Sequence, residues 1–223
     1  VDQRCTLVVP TRLWDGLCAH LLSGGVERFA YLLAHAELAR RLRSARPDGQ
    51  HGVVLQVRWV LLVPDEALTT QTDDRVEVSP ALTRTVLRTC YEQALSLVDV
   101  HSHPGVPVAR LSRQDLGNAL VTHREFLATV PAEPPAFAAS LVLTGAGPYR
   151  TETAGVWLDP RSGRLGTVDV HVTGTPAAGG GAAPGTAVVR GAAGGAPSGA
   201  AGGAGGGGGA GGGVPRGTPG GAG

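Results

Sequence analysis

Residues 95–120 read LSLVDVHSHPGVPVARLSRQDLGNAL. A short apolar run ends in His101-Ser102-His103-Pro104, and a loop leads to Ser112-Arg113-Gln114-Asp115, where helical patterning begins. Side chains alternate along a strand, so His101 and His103 project to one face. Ser112 and Asp115, three apart at a helix start, share its first turn. Two neutral imidazoles, one carboxylate and an open position for water suit zinc, a borderline-soft ion. The stretch reads as a catalytic zinc site, with the rest of the chain organised around it.

Each residue also has a plainer reading. Two histidines on a strand can be surface groups, and Ser112-x-x-Asp115 is the pattern of a helix capping box. The combination favours the site: the imidazoles stand where an apolar strand ends, and the acid follows within one short loop. Asp99 shares their face, as a partner orienting an imidazole or as a further ligand. His20, His35, His51, His123 and His171 are scattered without ligand-like spacing and are expected to face solvent or to be satisfied by hydrogen bonds.

Working outward, Ser79-Pro80 starts a helix with Leu82, Val86, Leu87, Cys90, Tyr91 and Ala94 inward. Residues 26–33 read as a largely buried strand with Glu27, Phe29, Tyr31 and Leu33 on one face. A carboxylate at the head of such a strand is unusual, because burying an unpaired charge is costly; Arg28 points the other way. Residues 5–9 form a short strand stopped by Pro10. Thr11 then caps a helix carrying Leu13, Trp14, Leu17, Cys18, Leu21 and Leu22, ended by Gly24-Gly25. Residues 35–52 are taken as a surface segment, 53–63 as a long strand, 69–74 as a loop and 75–78 as a short strand. Downstream, a helix runs from 112 to about 127. The prolines of 130–135 exclude regular structure, and 137–143, 153–158 and 166–172 are three more strands. The expected fold class is α/β (α+β): a mainly antiparallel mixed sheet flanked by helices.

The chain has 223 residues and a net charge of +1, which gives no electrostatic case for nucleic acid. From about Gly174 it is almost entirely Gly, Ala and Pro, so residues 1–173 are expected to form the domain and 174–223 a disordered tail or linker. Cys5, Cys18 and Cys90 form no CxxC pair and read as buried or free thiols of a reducing compartment. No apolar run approaches the ~18–20 residues of a membrane span, and no signal-peptide pattern opens the chain. A cytoplasmic protein without a membrane partner is expected.

GVERFAYLLA at residues 25–34, then His101-Ser102-His103-Pro104, then Ser112-Arg113-Gln114-Asp115, resembles the JAMM/MPN (JAB) zinc metalloprotease family, prokaryotic type, over residues 7–172. The resemblance implies a cytidine-deaminase-like α+β fold. It also implies a zinc metallopeptidase, a deubiquitinase-like isopeptidase hydrolysing peptide or isopeptide bonds after the C-terminal glycine of a ubiquitin-like or sulfur-carrier protein. On that pattern His101, His103 and Asp115 bind Zn2+, Glu27 takes the proton of a water and later delivers it, and Ser112 hydrogen-bonds the oxygen that develops negative charge. Prokaryotic members are often encoded beside or fused to adenylyltransferases resembling ubiquitin-activating enzymes, so such an enzyme is an expected partner. Glu66 and Glu77 are other upstream carboxylates but lack the GVERFAYLLA context. One alternative is a non-catalytic scaffold of the same fold, against which the complete ligand set argues. Another is a different zinc hydrolase, since Asp99-x-His101-x-His103 resembles the strand end of amidohydrolase-type barrels. Those need ~200 or more residues, and only about seventy foldable ones follow His103.

Overall fold

Cys5, Leu7 and Val9 are buried in alternation along β1 (Arg4–Pro10), the period of a strand with one apolar face. The computed structural model describes residues 4–38, 52–130, 136–145, 150–174 and 185–188. Helix α1 (Thr11–Leu21) follows β1 directly and buries Leu13, Trp14, Leu17, Cys18 and Leu21. Thr11 does not cap it. Pro10 occupies the cap position, and the Thr11 hydroxyl donates to the Thr173 carbonyl at 2.7 Å, tying the helix start to a distant strand.

The remaining elements are β2 (Phe29–Leu38), β3 (Val53–Leu62), β4 (Leu68–Gln71), β5 (Val76–Val78), α2 (Pro80–Gln93), β6 (Ser96–Ser102), α3 (Arg113–Thr129), β7 (Ala138–Gly145), β8 (Thr151–Leu158), β9 (Leu165–Thr173) and β10 (Gly185–Val188). Ser79 caps α2 by accepting from the Leu82 N–H. Strand β2 begins two residues after Glu27, so the glutamate precedes the strand rather than sharing its pleat. The expected loop at 69–74 is mostly a hairpin, in which β4 pairs antiparallel with β5. Strand β10 falls within the stretch expected to be tail. The prolines of 131–135, most of the surface segment (39–51) and most of the tail lie outside the described residues.

The main sheet runs β1-β9-β8-β7-β6-β2-β3, and β3 then pairs back onto β1. Cys5 lies opposite Val53 and Val8 opposite Gln56 in that parallel seam. The sheet is therefore a closed seven-stranded barrel, with β10 continuing along the same edge of β3 opposite residues 59–62. Pairing is not mainly antiparallel: β1–β9, β1–β3, β3–β10 and β6–β7 are parallel. Antiparallel partners are β2–β3, β2–β6, β7–β8 and β8–β9.

Two apolar clusters follow. Leu7, Leu32, Leu55, Val100, Leu141, Trp157 and Val168, from all seven barrel strands, meet the apolar face of α1. The opposite side of β2, β6 and β7 presents Tyr31, Leu33, Leu97 and Ala138 to Val86 and Cys90 of α2 and Phe126 of α3. Strand β6 is thus covered on both faces, which explains its near-continuous apolar run. The thiols of Cys5, Cys18 and Cys90 are free and buried. Burial pushes them up to about 12, 11 and 12, so they stay protonated at neutral pH. Among the described residues, no helix is long and apolar enough to cross a membrane.

This topology overturns the expected fold class and what hung on it. The expectation was a cytidine-deaminase-like α+β fold, a mainly antiparallel mixed sheet flanked by helices. Among the described residues, the sheet instead closes into a barrel, accompanied by three α-helices and a separate two-stranded hairpin. The assignment to the JAMM/MPN family therefore falls. With it fall the zinc metallopeptidase activity, the deubiquitinase-like isopeptidase mechanism and the MPN-type scaffold alternative. The physical reason is that alternating burial is the same in an open and a closed sheet. Closure depends on β1 meeting β3, a long-range pairing that local pattern does not encode.

Leu55 lies on the seam and is fully buried, so Leu55→Ala is expected to destabilise the protein by about 2–5 kcal/mol in urea unfolding. Val121→Ala, at a position 57% exposed on α3, is expected to change stability by less than about 0.5 kcal/mol.

Candidate metal centre

Parallel neighbours β6 and β7 need a crossover, and α3 supplies it. The carboxyl end of β6 and the amino end of α3 are thereby brought together, the position where crossovers gather functional groups in open parallel sheets. His101 lies within β6, on the outer face it shares with Leu97 and Asp99, and His103 lies just past the strand end. The His103 N–H donates to the Leu143 carbonyl of β7 at 2.9 Å, holding the second imidazole in place. The loop onward is fastened by the Thr144 hydroxyl to the Val106 carbonyl and by the Ala109 N–H to Glu152.

Asp115 is the N3 residue of α3 and closes a reciprocal capping box. Its Oδ2 accepts from the Ser112 N–H at 2.7 Å, and the Ser112 hydroxyl accepts from the Asp115 N–H at 3.1 Å. The cap reading and the ligand reading of this pair therefore coexist: capping fixes the rotamer that aims the carboxylate at the histidines. Asp115 Oδ1 is 3.6 Å from His101 Nε2 and Oδ2 is 3.6 Å from His103 Nε2. The two Nε2 atoms are 3.2 Å apart. With one donor atom from each, His101, His103 and Asp115 lie within 4.8 Å of one another and form a group that can hold a metal ion.

Glu27 joins this group from far upstream. Its N–H donates to the Thr72 carbonyl at 2.7 Å, and the Gln71 side chain donates to its carbonyl at 3.1 Å, so the β4–β5 turn clamps it. Arg28 beside it is stitched to Ser102 by two hydrogen bonds and faces Asp65 at 3.6 Å, leaving Glu27 without its help. The Glu27 side chain is nearly buried, and its Oε1 lies 3.5 Å from His103 Nε2.

Charge is unevenly distributed here. Burial raises the Glu27 carboxyl from 4.5 to about 7; His101 opposes this and Asp115 adds to it. Burial also works against a charged His101, but Asp115 outweighs it and the imidazole is raised. His103 is lowered by burial and by its neighbour His101. Asp115 is raised by burial, yet His101 and the Ser112 hydrogen bonds hold it well below the usual carboxylate range. Asp115 and His103 are therefore poised in their ligating, deprotonated forms.

Spacing alone missed two neighbours. Asp99 does not reach the cluster as a ligand. Its Oδ2 accepts from the Ser140 hydroxyl at 2.8 Å, and the Ser140 oxygen lies 2.9 Å from Nε2 of His123. His123 is buried on α3, between Ala119 and Phe126. A histidine inside that helix's apolar stripe was the available signal. Ser140, in an apolar run, carried none.

No family model and no curated protein matches the sequence. Among solved structures, the solution structure of protein DSY2949 from Desulfitobacterium hafniense aligns over 77% of this chain and 94% of that one. With 17% identity and a TM-score of 0.43, the likeness bears no weight for fold or chemistry.

The raised Glu27 pKa fixes a sign. Between pH 4.5 and about 7 the folded chain keeps a proton on Glu27 that the unfolded chain has lost, so this group's contribution to stability falls as pH rises through that window. In metal-free protein, Glu27→Gln is expected to raise stability at pH 8 by about 1–3 kcal/mol, with the gain shrinking towards pH 5. Urea unfolding at both pH values reads the difference.

Proposed function

We propose that the chain is a mononuclear zinc protein whose centre is built to activate water. The supporting observation is the convergence of two imidazoles and a capped carboxylate, whose donor atoms lie within 4.8 Å of one another, with a nearly buried fourth group, Glu27, beside them. Zinc fits this donor set, and in a site with three protein ligands it lowers the pKa of water to about 7. His101 and His103 offer Nε2, and Asp115 offers the oxygen that the cap leaves available. Ser112 serves as the cap that holds Asp115. Glu27, nearly buried with Oε1 3.5 Å from His103 Nε2, would lie beside such a water as a proton acceptor. Burial keeps bulk water from solvating that carboxylate, and the β4–β5 turn holds it at a fixed distance from His103.

Wild type purified under zinc-replete conditions is expected to retain stoichiometric zinc by elemental analysis. His103→Ala is expected to lose more than about 100-fold in zinc affinity, whereas Glu27→Gln keeps the metal. Cobalt(II)-substituted protein is expected to show tetrahedral visible bands that azide perturbs, the signature of an open coordination position. A chain that holds no stoichiometric metal, or cobalt bands indifferent to azide, overturns this reading.

A further inference from the structure

A cavity of about 530 Å3 opens beside Glu27, His101 and Asp115 and runs between the outer face of β2 and β6, the two helices α2 and α3, and the β4–β5 hairpin. Its walls include Phe29, Tyr31, Leu87, Leu97 and Phe126. Phe29 and Tyr31 pack edge to face, with centroids 5.0 Å apart. The charge around this apolar space is one-sided. Glu27, Asp74, Glu77, Asp99, Asp115 and Glu125 all border it, against the guanidinium of Arg75, which Glu77 already binds, and the imidazole of His101, which Asp115 faces.

Asp99 borders the cavity from β6, its side chain 20% exposed, and is held from behind. The Ser140 hydroxyl donates to Asp99 Oδ2, which leaves the Ser140 oxygen to accept from the Nε2–H of His123. His123 Nδ1 is buried with no hydrogen-bond partner. A proton there would be an orphaned donor, so the Nε2–H tautomer is the one this arrangement favours. The chain of hydrogen bonds thus runs from His123 through Ser140 and ends on a carboxylate at the cavity wall.

We propose that this cavity is a binding site for an organic cation with an apolar body, an aralkyl or alkyl ammonium. The ammonium would meet Asp99 and the faces of the aromatic wall, and the body would lie against Leu87, Leu97 and Phe126. As the substrate class of the neighbouring centre this rests on the zinc reading; as a binding site it does not, because neither the walls nor Asp99 depends on a metal.

The test is calorimetric titration of metal-free and zinc-loaded protein with phenethylammonium and with its uncharged counterpart 2-phenylethanol. The ammonium is expected to bind both forms of the protein, with the alcohol weaker by about tenfold. Asp99→Asn is expected to abolish that preference, and added salt to weaken the ammonium but not the alcohol. Should Asp99→Asn fail to fold, Glu125→Gln on the exposed side of α3 is expected to weaken ammonium binding about twofold. Equal affinity for ammonium and alcohol, indifference to salt, or no saturable binding of either overturns the proposal. Ammonium binding to a chain that takes up no zinc supports it while removing the zinc reading.

Discussion

Backbone pairing between residues 5–8 of β1 and 53–56 of β3 turns an otherwise open sheet into a barrel, and the placement of the other elements follows from it. Closure removes the unpaired edges an open sheet would present. It also encloses a space that side chains from seven strands and the apolar face of α1 must fill. Once α1 is committed to that cluster, α2 and α3 cover the outer face of β2, β6 and β7. Strand β6 is consequently buried on both sides, and its outer-face residues Leu97, Asp99 and His101 lie beneath the helices rather than in open solvent. The cluster of His101, His103 and Asp115 is a property of the barrel's outer wall.

Local hydrogen bonding then makes the cluster specific. A capping box would form at the start of α3 whatever lay opposite, because it satisfies two helix-terminal N–H groups. Here it also orients a carboxylate towards two imidazoles whose own positions are set by β6 and by the tie from His103 to β7. Glu27 is delivered by a separate device, the β4–β5 turn. The result is a compact group of acids and imidazoles carrying one carboxyl raised to about 7 and another held far below its usual range. At neutral pH the raised Glu27 works against the folded chain, whereas Asp115, held low by His101 and the Ser112 hydrogen bonds, works for it.

Much of the site was legible in the chain. His101 and His103 were apparent because alternation and a terminating proline follow from local covalent geometry. Asp115 was apparent because a helix start is written in its first turn, and Glu27 because a carboxylate heading an apolar run is anomalous. Ser140 and His123 were not read as a pair, since nothing in an apolar strand or a helical stripe announces a polar contact across two elements. The familiar order of glutamate, paired histidines and serine–aspartate suggested a whole family and its peptidase chemistry. That order survives as a cluster of side chains, while the fold that would have carried the rest of the comparison is different.

Most of the local elements and the chemistry of the donors could be read along the chain. Periodicity is a property of successive residues, and imidazoles and carboxylates keep their ligand preferences wherever they stand. Only the tertiary structure decided that the sheet closes, that half its pairings are parallel, that Glu27 lies ahead of its strand within reach of His103, and that a negatively lined cavity opens next to the cluster. These depend on which distant segments meet. The free energy of that choice is spread over the core, and the pattern along any one stretch is equally compatible with several partners.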